Sequence, residues 1–356
     1  MQPSQLERVR FRAAVESAIR DWFQAQGVLH VSAPTLVPSP GMEPHLRAFA
    51  TRSHECAELG PRWLHTSPEY AIKQILHELD CDVWCMARCY RDEPPSRWHH
   101  VEFTMIEWYR QNVGYESLMQ DCESLLRHIL TRLGWEQTVR VAGHADPVHM
   151  SAVWKRVTVA DAFLAAAQMD VFETDPRRFA EAARRAGVDV ELEWDWATTF
   201  SVVYSLVVEP WVCSPQPAFL CDFPVSEAAL SRARPDDARV AERFELYVPL
   251  PVGADVRGNL ELANAFTELV DAAEQRRRFE SEMAWRQANG LVVYPMPEAM
   301  LQGLAKMKPT AGIALGLERL LVWLAQTWLG WETGVADFLP SEPLAGAWRP
   351  TERSRD

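Results

Sequence analysis

Apolar positions three and four residues apart open the chain. In SQLERVRFRAAVESAIRDWFQAQ, residues 4–26, Val9, Ala13, Ile19, Trp22 and Phe23 share roughly one helical face, and Gly27 supplies the stop. VLHVSAP then reads as a short strand ended by Pro34, and the Pro-rich run to Phe49 as loop. TSPEYAIKQILHEL, residues 66–79, carries a helix-start signature followed by 3–4 apolar spacing. The period changes to strand in DVWCMARCYR and again in EFTMIEWYR, and residues 92–101 between them make a long hairpin the economical reading. Residues 115–133 are an amphipathic helix. Residues 144–217 are helical but irregular and read as an insertion with its own small core, including DPRRFAEAARRAG with an Asp cap and a Gly stop. AFLCDFP, RFELYVPL and NLELANAFTEL return to strand, residues 271–289 form a polar helix, and GIALGLERLLVWLAQTW runs from strand straight into an apolar helix. Strands spread along the length and interrupted by helices predict an α+β fold around a mostly antiparallel sheet. The expected organisation is one domain over residues 1–340 and a flexible, Pro- and charge-rich tail over 341–356. A doubly wound fold is disfavoured because no GxGxxG follows a strand.

Composition narrows the classes. Apolar residues make up 48%, enough for a sizeable core, and the net charge of -13 argues against wrapping nucleic acid, which needs clustered Lys and Arg. Seven cysteines without a CxxC pair point to reduced thiols and a cytoplasmic compartment. Cys81, Cys85 and Cys89 at period four on a strand would share one face, a poor start for tetrahedral zinc. No apolar leader and no long uncharged apolar run is present, so a soluble protein off the membrane is expected.

The chemistry concentrates in CYRDEPPSRWHHVEFTMIEWYR. The pair His99–His100 among carboxylates raises the question of a metal site. Strand alternation puts Phe103, Met105, Glu107 and Tyr109 on one face, and Cys85, Ala87, Cys89 and Arg91 on one face of the preceding strand. Small residues leave room above the sheet, and a guanidinium at its edge can clamp a phosphate. By itself, Arg91 is better explained by a surface pair with Asp92 or Glu93.

The segment RCYRDEPPSRWHHVEFTMIEWYR resembles motif 2 of class II lysyl-tRNA synthetases and, more closely, of the free-standing lysyl-tRNA-synthetase-like ligases that modify elongation factor P. HTSPEYAIKQIL, AERFELYV, LELANAFTELVDAAEQRRRFE and GIALGLERLLVW are similar to further stretches of that family in the same order, and the first helix with VLHVSAPTL resembles motif 1. The resemblance implies a class II synthetase core: a six-stranded antiparallel sheet flanked by helices, a homodimer, and no anticodon-binding domain. With pI 5.3, stable tRNA binding is not expected.

The implied reaction is attack of a lysine-like carboxylate on the α-phosphate of ATP, then transfer to a lysine ε-amine of elongation factor P. Such chemistry is positioning plus charge neutralisation. By the resemblance, Arg91 and Arg319 are catalytic. Asp92, Glu93, Arg97, His99, His100, Phe103, Glu261, Leu262 and Gly316 join them in binding ATP, with Glu93 on the adenine amine and Phe103 stacked on the base. Glu245 and Glu261 would hold Mg2+. Ser67, Pro68, Glu69, Glu107, Tyr109, Asn264, Glu268 and Ala314 would line the amino-acid pocket, where three glutamates suit two ammonium groups. Ala314, where lysyl-tRNA synthetases usually have Gly, implies (R)-β-lysine over α-lysine. The sequence departs from the family at His100, where asparagine is usual, at Ala265 for Gly, at Glu318 for Asp, and in a longer hairpin over residues 248–259. A lysine-type ligase serving another carrier, or a catalytically silent regulatory paralogue, remains open.

Overall fold

The computed structural model describes residues 1–339 apart from 44–45, 213–215 and 252–257, so the expected tail and the middle of the long hairpin lie outside the described residues. Helix α1 (Gln5–Ala25) leads to strand β1 (Leu29–His30), then to a small sheet of β2 (Leu36–Val37), β3 (Ala50–Thr51) and β4 (Arg62–Leu64). Helix α2 (Glu69–Leu79) precedes the hairpin β5 (Val83–Tyr90) and β6 (Glu102–Gln111), followed by α3 (Tyr115–Arg132) and the ribbon β7 (Thr138–Val139) and β8 (Val148–His149). The insertion holds β9 (Lys155–Thr158), α4 (Val159–Ala167), α5 (Pro176–Arg185) and α6 (Trp196–Val203). A π-helical turn, Tyr204–Val208, joins α6 to α7 (Glu209–Val212). Strands β10 (Ala218–Pro224), β11 (Val240–Pro249) and β12 (Asn259–Thr267), helices α8 (Ala272–Ala288) and α9 (Glu298–Leu304), strand β13 (Thr310–Gly316) and helix α10 (Leu317–Trp328) complete the order.

The main sheet runs β1-β5-β6-β13-β12-β11-β10-β9. Its central six strands pair antiparallel throughout, as expected. The sheet is nevertheless eight-stranded, because β1 and β9 add parallel edge pairs to β5 and β10. The strand in VLHVSAP is present as β1, though its parallel pairing to β5 was not foreseen, and β9 lies in the stretch read only as helical.

One face of the sheet is covered by α1, α3 and α10. Ser4 and Glu7 cap α1 reciprocally, and Phe11, Val15, Ala18, Ile19, Trp22 and Phe23 form its buried stripe. Ile19, Trp22 and Phe23 are buried as expected, but in the first turns the stripe runs through Phe11 and Val15, leaving Val9 56% exposed and Ala13 also exposed. Stacking decides this register: Phe23 lies against Trp84 of β5 at 4.4 Å, and Phe11 against Trp135 at 5.8 Å. A buried carboxylate locks the layer, since Glu318 of α10 accepts from Arg12 Nη1 at 2.8 Å and from the Thr104 backbone N–H at 2.7 Å. Glu318→Ala leaves the buried Thr104 amide without its acceptor and takes one of two carboxylates from Arg12, and chemical denaturation is expected to show a loss of about 2 kcal/mol.

The opposite face is covered only at its ends. Helices α2, α8 and α9 pack over β5 and β6, and the insertion packs over β10 and β11. The insertion's core is therefore not its own: Phe163, Phe179 and Phe200 join Leu220, Phe223 and Tyr247 of the sheet. Between these two covers lies an open middle stretch. Among the described residues, no helix is long and apolar enough to cross a membrane.

Candidate active site

Ladder register lays four of the predicted residues in one row across that middle stretch. Glu107 of β6 pairs with Ala314 of β13, Ala314 with Asn264 of β12, and Asn264 with Glu245 of β11. Directly opposed residues face the same way, so the row stands on the open face. A register shift in the β11–β12 ladder, where Leu246 pairs with Ala263 but Tyr247 with Glu261, skips Leu262. This extra residue sends Leu262 into the core behind the sheet and brings Glu261 to the side of Glu245. Anything Leu262 offers a ligand there is backbone.

The row's deep end is a carboxylate pocket. Glu107, 1% exposed, accepts from Ser67 Oγ at 2.5 Å and from Tyr109 OH at 2.8 Å. Ser67 Oγ also accepts from the Glu69 N–H at 3.1 Å, which fastens the start of α2, where Pro68 is the N-cap, to the pocket. Glu268 is 1% exposed, and its Oε1 has no hydrogen-bond partner among the described residues. It fits because residue 312 is glycine: a Cβ there would run into Glu268 Oε1 and the Tyr109 ring. Burial, reinforced by Glu69, pushes Glu107 up to about 8, and burial likewise lifts Glu268 to about 8 despite the attraction of Lys73.

Lys73 is fully buried one helical turn beyond Glu69. Its Nζ pairs with Glu69 and lies 2.5 Å from Glu268 Oε2, over the Phe266 ring at 5.2 Å. One of the three glutamates is thus already matched inside the protein, because an internal ammonium neutralises it. With all three carboxylates ionised the remaining net charge is about minus two, which suits a dication, whereas the empty pocket holds protons on Glu107 and Glu268 in its place.

The other end of the open face is cationic. The Arg91 guanidinium stacks over Phe103 at 5.0 Å, and Arg97 over Trp98 at 4.9 Å. Asp92 is held by its N–H, which donates to Arg47 O at 2.8 Å, and Glu93 lines a cavity of about 580 Å3 with Arg47, Phe49 and Pro94. Arg319, in the first turn of α10, lies 2.8 Å from His99 Nε2 and donates to Glu261 Oε2 at 3.1 Å and to Trp98 O at 3.3 Å. Arg319 therefore ties the hairpin loop to β12 at a helix N-terminus, where anions are favoured. Gly316 precedes it with an ordinary φ of −78°, and a Cβ there would meet only the Arg319 side chain at 3.7 Å. The protein itself does not need this glycine, so the space it leaves is free for a ligand.

His99 and His100 diverge. His99 faces Arg319 and Ser96, whereas His100 is 4% exposed, with Nδ1 within 2.8 Å of Glu102 O and 3.2 Å of Glu102 N. They do not form a joint metal site. An asparagine amide can make the same local contacts, so His100→Asn is expected to leave the KM for ATP within about threefold.

Glu245 is held from both sides: Oε1 by Arg243 at 2.6 Å, Oε2 by Tyr204 at 2.6 Å and Tyr247 at 2.7 Å. Burial first, then the charge of Glu261, pushes its carboxyl up. Two facing carboxylates are what a divalent cation would relieve, and Oε1 of Glu261 accepts no hydrogen bond among the described residues. No three His, Cys, Asp or Glu there form a metal-binding group. The donor set would suit Mg2+ held by one or two carboxylates plus substrate phosphates, and of the two carboxylates Glu261 is the less committed to protein partners.

A family model described as tRNA synthetases class II (D, K and N) matches residues 1–328. The chain belongs to the class II tRNA synthetases. Among curated relatives of this synthetase-type chain is an elongation factor P–(R)-β-lysine ligase from Hamiltonella defensa, 33% identical over 316 residues, covering 87% of this chain and 89% of the relative. One of the same name from Erwinia tasmaniensis is 33% identical over 321 residues, with the same coverage.

Three residues of the site were not foreseen from the sequence. Lys73 stood inside the quoted TSPEYAIKQIL, and its i,i+4 spacing from Glu69 was the available signal. Gly312 stood in GIALG. Tyr204, which holds Glu245 from the insertion, gave none, because no local pattern says which sheet residue a π-helical turn will meet.

Proposed function

We propose that this chain is an ATP-dependent ligase that adenylates (R)-β-lysine and transfers it to the ε-amine of a lysine on elongation factor P. The observation that carries the substrate class is the buried pocket of Glu69, Glu107 and Glu268 around a single lysine, whose residual charge matches a diamine. The names of the two relatives supply the acceptor. Arg91 grips the α-phosphate, Phe103 and Glu93 hold the adenine, and Arg97, His99 and Arg319 approach the outer phosphates. Asp92 and His100 fix the loop, and Gly316 gives the nucleotide room. Mg2+, when bound at Glu261 with Glu245 behind it, neutralises phosphate charge. The substrate carboxylate then attacks the α-phosphorus in line, pyrophosphate leaves, and the acceptor amine attacks the carbonyl of the mixed anhydride, forming an amide and releasing AMP and a proton. No protein nucleophile is needed, since the rate comes from orientation and from donors placed where charge develops.

Ala314 sets a methyl between Glu107 and Asn264 in the row, which narrows the pocket floor and favours an amine one carbon further from the carboxylate. ATP–pyrophosphate exchange is expected to be faster with (R)-β-lysine than with α-lysine, and the reverse order would reject the β-amino preference. Incubation with (R)-β-lysine, ATP and elongation factor P should add one β-lysyl mass to the factor. No increment, with exchange intact, would move the acceptor elsewhere.

The working form is a homodimer that binds no tRNA stably. Leu6 and Val9 on α1, with Leu29 and Leu36 just beyond it, are 47–57% exposed and lie on the elements that resemble motif 1. Covering them would explain why Val9 points away from the monomer core. Unpaired cysteines suit a reducing, cytoplasmic setting.

A further inference from the structure

A fourth carboxylate stands at the mouth of the amine pocket. Glu43 lies in a segment fastened on both sides. Thr66 Oγ1 donates to Pro40 O at 2.9 Å, and Met42 N–H donates to Tyr70 OH at 3.0 Å, binding the segment to the start of α2. On the other side, Asp92 N–H donates to Arg47 O at 2.8 Å, binding it to the hairpin loop. Arg286 Nη1 donates to both Glu43 O and Leu46 O at 3.0 Å, so the backbone is held from behind as well. Glu43 therefore sits where the amino-acid helix meets the phosphate loop.

Its side chain is turned inward. Oε2 is buried without a hydrogen-bond partner among the described residues. A Cβ on residue 41 would come within 2.7 Å of Glu43 Oε2 and 2.8 Å of Thr66 Oγ1, so Gly41, at φ +153°, is what lets the carboxylate lie there. The charges that act on it are Glu69, Arg91 and Lys73 on the site side and Glu282 behind. A buried carboxylate oxygen left unpaired is costly, and it is tolerable where a ligand cation completes it.

The chemistry says which cation. The reacting carboxylate of the substrate must come to the α-phosphate at Arg91, so the ammonium nearest that carboxylate falls between Arg91 and Glu69. The distal ammonium reaches Glu107, Tyr109 and Glu268 deeper in. We propose that Glu43, together with Glu69, receives the proximal ammonium and so reads its position along the substrate. The assignment rests on the diamine reading above. It adds a residue to the recognition of the amine that distinguishes β- from α-amino substrates.

The test is Glu43→Gln, which keeps the shape and removes the charge. The KM for (R)-β-lysine in ATP–pyrophosphate exchange is expected to rise at least about tenfold, as for a lost charged hydrogen bond, with the KM for ATP within about twofold. Two inhibitors divide the amines. (R)-3-aminohexanoate carries only the proximal ammonium and should lose about tenfold in Ki, whereas 6-aminohexanoate carries only the distal one and should not change. Equal shifts for both inhibitors, an unchanged KM for β-lysine, or a parallel rise in the KM for ATP with a lowered Tm would each overturn the assignment. If the wild-type protein shows no exchange with either lysine isomer, the diamine reading fails first. That result is distinct, because it does not involve the variant.

Discussion

Arg319→Ala is expected to lower kcat/KM for ATP–pyrophosphate exchange by about 10^3-fold, the largest single-residue effect on activity in this protein. The side chain joins His99, Trp98 O and Glu261, so its loss removes a phosphate-side cation and also releases the hairpin loop from β12. Arg319→Lys should recover little, because an ammonium cannot span these partners as a planar fork does. Stability is expected to change by less than about 1 kcal/mol, since the Arg319–Glu261 pair is partly solvated, with the side chains 23% and 33% exposed. The preceding residue gives the opposite result: Glu318 points into the α1 layer, and its loss costs stability while leaving the KM for ATP near wild type. Adjacent positions on one helix turn thus separate catalysis from folding. A variant Arg319→Ala that keeps more than a tenth of the exchange activity would reject the phosphate role.

The strands of the β5–β6 hairpin were legible because they are local, whereas the residues of the two charged ends were reached only through the family resemblance. Period-two alternation put Glu107 and Tyr109 on one face, and the structure has them on one face with a hydrogen bond between them. What alternation could not supply was parity across an irregularity. Glu261 and Leu262 exchange faces at the register shift beside Leu246, and no residue type there announces it. The rotation of α1 has a similar cause. Val9 and Phe11 are both apolar, and which one turns inward depends on aromatic partners over a hundred residues away, such as Trp135 and Trp331. Charge was the hardest quantity to foresee. Lys73 and Glu69 could be paired from their helical spacing, but that the same ammonium also meets Glu268 depends on β12 ending beside α2.

The KM for (R)-β-lysine is expected to fall about tenfold per pH unit, for each proton released, as pH rises from 6 to about 8, with the kcat at saturation changing far less. The cause is the proton content of the empty pocket. Burial and the neighbouring Glu69 hold Glu107 at about 8, and burial holds Glu268 at about 8, so at pH 6 both carry protons that a dicationic substrate must expel. Linkage fixes the sign for stability as well. A carboxyl raised in the folded state binds more protons than in the unfolded chain. The empty protein therefore loses stability as pH climbs from about 4.5, the ordinary value, towards about 8. Substrate binding reverses this by supplying ammonium partners, so the rise in Tm on adding β-lysine should be larger at pH 8 than at pH 6. Above that range the substrate's own amines begin to deprotonate, and the gain levels off. Glu107→Gln should flatten the slope by removing one of the titrating groups, while raising KM at every pH. Calorimetry in buffers of different ionisation enthalpy counts the protons directly, and a release near zero at pH 7 together with a flat KM would remove the protonated pocket.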